Sequence, residues 1–187
     1  MANLNNPTMV IVAVVVIIAA LALAWVFAQR QRRIRLREQF GPEYDRTVAA
    51  VGTAGRAEAV LAEREKRVHA YHLKQLNDVD RGRYMEAWRR VQARFVDDPG
   101  GAVTEADVLV NEVMTARGYP MADFDRRTED LTVDHANVVH HYRAAREIAG
   151  RHAGRTASTE DLRQALVHYR ELFADLLGVE DPVRRSA

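Results

Sequence analysis

The hydrophobic pattern has two regimes. From Met9 to Ala28 the run MVIVAVVVIIAALALAWVFA holds 20 residues with no charge, glycine or proline. As a helix rising about 1.5 Å per residue it spans roughly 30 Å, the thickness of one bilayer core. Beyond Gly41 the apolar positions recur every three or four residues, with no sustained alternation of period two, so this part reads as amphipathic helices without sheet. The expected fold class is all-α: one N-terminal transmembrane helix followed by a compact five- or six-helix bundle. The parts are a short extracytoplasmic N-terminus (1–8), the span (9–28), a basic juxtamembrane helix (29–40), a helical cytoplasmic domain (41–178) and a frayed tail (179–187).

Punctuation residues place the helices. Gly41-Pro42 ends the juxtamembrane helix and starts the next, with Pro42 in a first-turn position. Gly52 and Gly55 weaken the stretch 42–72, which reads as one bent helix or two. Asn77 caps a helix whose stripe of Tyr84, Met85, Trp88, Val91, Phe95 and Val96 runs to Asp97-Asp98-Pro99. The stripe from Val103 to Met114 follows, closed by Gly118 and Pro120. A short helical turn around Phe124 leads to Asp134, read as the N-cap of a helix that ends at Gly154. Ser158-Thr-Glu-Asp161 resembles a capping box for the last helix, which ends at Gly178.

Charge sets an orientation. The chain has 27 Lys plus Arg against 26 Asp plus Glu. Five arginines, Arg30, Arg32, Arg33, Arg35 and Arg37, follow the apolar run directly, and residues 41–187 are mildly acidic. Basic flanks stay in the cytoplasm, so the expected topology is single-pass, N-terminus outside and domain inside. Trp25 and the five arginines form the expected membrane-interface set. Trp25 sits at the headgroup level, and each near-surface arginine gains about 1 kcal/mol from anionic lipid. Ala20, Ala24 and Ala28 form a small-residue stripe that allows weak self-association through the span. The competing expectation is export after cleavage at Ala24. It is disfavoured by a leader with no basic residue and by an apolar run longer than a signal peptide's. The acidic domain offers nucleic acid no broad positive field.

Candidate chemistry is sparse. There is no cysteine, hence no disulfide scaffold and no thiolate nucleophile or metal ligand. No histidine spacing fits a metal motif, Ser158 is explained as a cap, and no glycine-rich loop carries a phosphate-binding lysine. No catalytic, cofactor-binding or metal residue is expected. The run EREKR, Glu63 to Arg67, reads as a solvated face, with a binding face for another helix as the alternative. His141-Tyr142-Arg143 and His168-Tyr169-Arg170 repeat one triplet, with both tyrosines on apolar stripes. The only set that suggests a ligand is His135, His141, Tyr142 and Arg143, imagined around a bundle crevice.

The blocks LREQFGPEYDRTV (Leu36 to Val48), RFVDDP (Arg94 to Pro99), RGYP (Arg117 to Pro120), VDH (Val133 to His135), HYR and STEDLRQA (Ser158 to Ala165) resemble an uncharacterised family of bacterial single-pass membrane proteins. The resemblance spans most of residues 36–177. It implies a bacterial, membrane-tethered helical domain, hence the bacterial inner membrane as the membrane crossed, and carries no catalytic residues. The use of 25 arginines to 2 lysines also suits a GC-rich bacterial genome.

An anchor and an amphipathic bundle without convergent reactive groups lead to the expectation of a noncatalytic, membrane-tethered interaction or scaffold module with a protein partner. The alternative is a small-ligand sensor or enzyme using the His135, His141, Tyr142 and Arg143 set.

Overall fold

The computed structural model describes residues 7–120 and 123–178. The first, α1, is a single helix from Pro7 to Phe40, about 51 Å long, in which the apolar run passes into the arginine segment without a break. By length and composition it is long and apolar enough to cross a membrane, a test that a signal sequence also passes. The side chains of its apolar part, from Met9 to Phe27, touch little of the chain and are more than half exposed at most large positions. The residues 179–187, expected to fray, lie outside the described residues.

Among the described residues seven helices follow: α2 (Pro42–Val51), α3 (Ala54–His69), α4 (Asp78–Arg94), α5 (Pro99–Arg117), α6 (Phe124–Asp134), α7 (Val139–Ala153) and α8 (Thr159–Leu177). The described residues include no strand. The all-helical class is as expected, while the helix count exceeds five or six. Two local readings account for the difference. The stretch 42–72 divides at Gly52, whose φ of 85° closes α2 in the left-handed region, and Thr53 then caps α3 by accepting from Arg56 N–H. The turn around Phe124 is a three-turn helix in its own right, capped by Asp123 through Arg126 N–H at 2.9 Å.

Asp134 is therefore not an N-cap. It is the last residue of α6, and α7 begins after Val138 with no side-chain cap. The backbone supplies what the cap would have: His135 carbonyl accepts from both Val138 and Val139 N–H at 3.1 Å. The remaining caps fall as the sequence indicates. Asn77 accepts from Asp80 N–H at 2.7 Å, and Ser158 and Asp161 exchange both bonds of the capping box.

Two apolar clusters organise the domain. The larger is built on α4, α5, α7 and α8, with Val110, Val113, Met114, Tyr142, Tyr169 and Leu172 buried at its centre. Trp88 stacks on Phe173 with ring centroids 4.8 Å apart, so the aromatic stripe of α4 is core, although Val96 at its end is exposed. The smaller cluster joins Leu36 and Phe40 of α1 to Tyr44, Leu61, Val68 and Val133. Leu36 and Phe40 are fully buried. The last turns of α1 are thus simultaneously the continuation of the apolar helix and a part of the domain core.

Candidate functional site

The arginines that follow the apolar run divide into two groups. Arg33 Nε donates to Glu58 at 2.9 Å, and Arg35 donates to both Glu65 oxygens at 2.9 and 3.0 Å. Arg37 lies 3.7 Å from Asp45 and covers the Tyr44 ring at 5.0 Å. Glu58, which is buried, also accepts from the Tyr44 hydroxyl at 3.0 Å. Burial, with the Glu58 bond second, raises the Tyr44 phenol above its ordinary value. Arg30 and Arg32 lie nearer the apolar run and are exposed, as is Trp25. Arg33 bonds Glu58, and Arg35, farther along α1, bonds Glu65, farther along α3. The two helices therefore run in the same general sense, and the Gly52-Thr53 turn lies toward the apolar end of α1.

The four residues imagined as a ligand set do not converge. His135 is buried and shares its Nδ1 with Asp175, while Arg117 donates to its Nε2 at 3.1 Å. Because a guanidinium only donates, Nε2 must accept, which places the imidazole proton on Nδ1 toward Asp175. His141 Nδ1 meets His168 Nδ1 at 2.8 Å. Tyr142 is fully buried against Phe124, and desolvation pushes its phenol up to about 12. Arg143 forms a two-bond fork with Glu43, both bonds at 2.9 Å. Consecutive residues 141 to 143 project about 100° apart on α7, so each meets a different neighbour.

The His135 neighbourhood serves the end of a helix. Arg117 donates to the Leu176 carbonyl at 3.1 Å and Arg81 to the Leu177 carbonyl at 3.1 Å, so two cations close the C-terminus of α8. Carbonyls left unpaired at a helix end carry partial negative charge, which both arginines neutralise.

Arg143 leads instead to a polar crevice of about 540 Å³ between α2, α3, α6 and α7. Glu43 and Arg64 are buried in its wall, while Arg46 and Asp125 are exposed at its edge. Arg64 Nη1 is 3.6 Å from Glu43 and its Nη2 is 3.5 Å from Glu129, ion-pair distances without a hydrogen bond. Its Nε and Nη1 are buried and donate to no acceptor among the described residues. Glu129 also meets Arg67 at 3.3 Å, and Arg67 is held more firmly by Asp130, which takes a second bond from Tyr71 at 2.8 Å.

The run EREKR thus keeps Glu63 and Lys66 exposed, while its other three residues form a binding face for neighbouring helices. Its Glu65 binds α1, its Arg67 binds α6, and its Arg64 is buried between them. The signal was present in the spacing. Leu61, Arg64 and Val68 follow one another at intervals of three and four, so the arginine occupies an apolar-stripe position.

No arrangement of three or more His, Asp or Glu suited to a metal ion occurs among the described residues. Compared with protein-family models, with characterised proteins and with solved structures, the chain finds no match in any of the three.

Proposed function

We propose that this chain is a noncatalytic, membrane-tethered helical module that presents its domain at a fixed place and orientation on the cytoplasmic face of a bacterial inner membrane, where a protein partner docks. The observation that carries the reading is the continuity of α1. An anchor joined by a flexible linker only restricts where a domain diffuses. Here the helix that follows the apolar run is buried in the domain at Leu36 and Phe40, and Arg33, Arg35 and Arg37 bind α2 and α3. Phe40 is twelve residues past Ala28, so the domain core begins within about 18 Å of the end of the span. The charge asymmetry around the apolar run supports the N-out, C-in orientation.

Reporter fusions after Ala187 test the orientation. A cytoplasmic fluorescent reporter should be bright and an alkaline phosphatase fusion silent, and the reverse pattern rejects it. Intact mass of the chain from the membrane fraction tests the anchor. A mass lacking the first 24 residues would establish export after cleavage instead.

A further inference from the structure

The crevice between α2, α3, α6 and α7 has chemistry that the tethering role does not use. Two of its cations are underemployed. Arg64 is buried with Nε and Nη1 donating to nothing, and Arg46 at the rim has no ion-pair partner among the described residues. Those two nitrogens are shut off from solvent, and their lack of an acceptor costs on the order of 1–3 kcal/mol; the nitrogen that Arg64 offers the crevice is Nη2, which stands 3.5 Å from Glu129 without a hydrogen bond. The crevice also holds one underemployed anion, since Asp125 has no ion-pair partner among the described residues either. The remaining charges are committed: Glu43 to Arg143 through two bonds of 2.9 Å, and Glu129 to Arg67 and Arg64.

The sign balance narrows the ligand. Arg46, Arg64 and Arg143 line the crevice against Glu43, Asp125 and Glu129. A simple anion would meet as many carboxylates as guanidiniums and gain little from the average field. A small zwitterion can place each end against the opposite charge. Guanidinium forks suit the oxygens of a phosphate, and a carboxylate suits an ammonium that still carries hydrogens. Ala50, Val51 and Val60 add an apolar stretch beside the charges. Ala50 and Val51 close α2 next to Gly52, on the side of the domain that faces the apolar end of α1.

We infer that this crevice binds a phosphoethanolamine-type zwitterion, with the phosphate on Arg64 and Arg46 and the ammonium on Asp125. The same chemistry belongs to a phosphatidylethanolamine headgroup and to free phosphoethanolamine. The lipid source rests on the membrane-tethered reading, whereas the recognition itself does not.

The test uses the full chain in detergent micelles. Native mass spectrometry follows retention of added phosphatidylethanolamine, phosphatidylglycerol and phosphatidylcholine, and titration calorimetry follows phosphoethanolamine against inorganic phosphate. Phosphatidylethanolamine should be retained about tenfold better than phosphatidylglycerol, which lacks the ammonium, and than phosphatidylcholine, whose methylated nitrogen donates no hydrogen bond. Arg64→Gln should weaken retention. Arg46→Gln and Asp125→Asn, both at exposed positions, leave the fold intact, and they should weaken the phosphate end and erase the headgroup preference respectively.

Equal retention of the three lipids together with no preference for phosphoethanolamine over phosphate overturns the proposal. So does a preference that survives both Arg46→Gln and Asp125→Asn. Binding of phosphoethanolamine without lipid selectivity supports the recognition and identifies the free compound as its source. Failure of the anchor in the fusion and mass experiments leaves the calorimetric titration unaffected, so the two readings fail separately.

Discussion

His141 and His168, the first residues of the two His-Tyr-Arg triplets, bring their Nδ1 atoms to 2.8 Å across the interface of α7 and α8. One nitrogen must carry a proton and the other must accept it, so the contact exists only while at least one ring is neutral. The neighbouring tyrosines, Tyr142 and Tyr169, are both fully buried, and Tyr169 donates to Asp107 at 2.9 Å. Matching positions on the two helices thus share one register of packing.

This pair makes stability depend on acid. Burial, and next the nearby His140, hold His168 below its ordinary value, while Glu171 pulls the other way. The folded chain therefore takes up that proton less readily than the unfolded chain. Its contribution is fully present above about pH 6.5 and is lost as the pH falls below that. Melting temperature measured from about pH 7.5 down to about pH 5 should drop, and His168→Gln should flatten the slope. Identical slopes for the two chains would reject the assignment.

The buried end of α1 makes the domain dependent on that helix. A chain beginning at Gly41 lacks Leu36 and Phe40, whereas one beginning at Gln29 keeps both. Loss of a buried Phe or Leu side chain costs about 2–5 kcal/mol, a large part of a small domain's stability. The Gln29 chain should unfold cooperatively and the Gly41 chain should melt far lower or not cooperatively. Equal denaturant midpoints would show that the smaller cluster holds without α1.

Trp88 anchors the larger cluster through its stack on Phe173. Trp88→Ala should cost about 3–5 kcal/mol and Trp88→Phe much less, since the second keeps the aromatic contact. Its indole Nε1–H has no acceptor among the described residues, so Phe removes an unmet donor as well. Similar losses for both variants in urea unfolding would contradict this account.

Gly118 and Gly52 separate two costs. Both have positive φ, 96° and 85°, where a side chain costs about 1–2 kcal/mol. A Cβ on Gly118 would also stand 2.7 Å from the His72 carbonyl oxygen, while one on Gly52 would meet nothing within 4 Å. Gly118→Ala should therefore destabilise clearly more than Gly52→Ala. A reversed order in thermal melts would refute the close approach of α5 to the chain at His72.

The sequence by itself determined the helices, most of their ends and the apolar N-terminal helix, because these follow from interactions among residues a few positions apart. The three-and-four spacing selects one face of a helix, and Asn77, Ser158 and Gly178 act within one turn of themselves. It misjudged Asp134, where a backbone-bonded turn replaced the cap that its side chain suggested. Only the tertiary structure decided what the charges do. Arg33 and Arg35 read as membrane-facing cations and are spent on Glu58 and Glu65, 25 and 30 positions away. Glu43 and Arg143, 100 positions apart, form one fork, and the crevice beside them comes from four helices. Periodicity tells which face of a helix is buried, but a charge is satisfied by whichever opposite group the packing of other helices sets against it, and that neighbour is encoded nowhere near it in the chain.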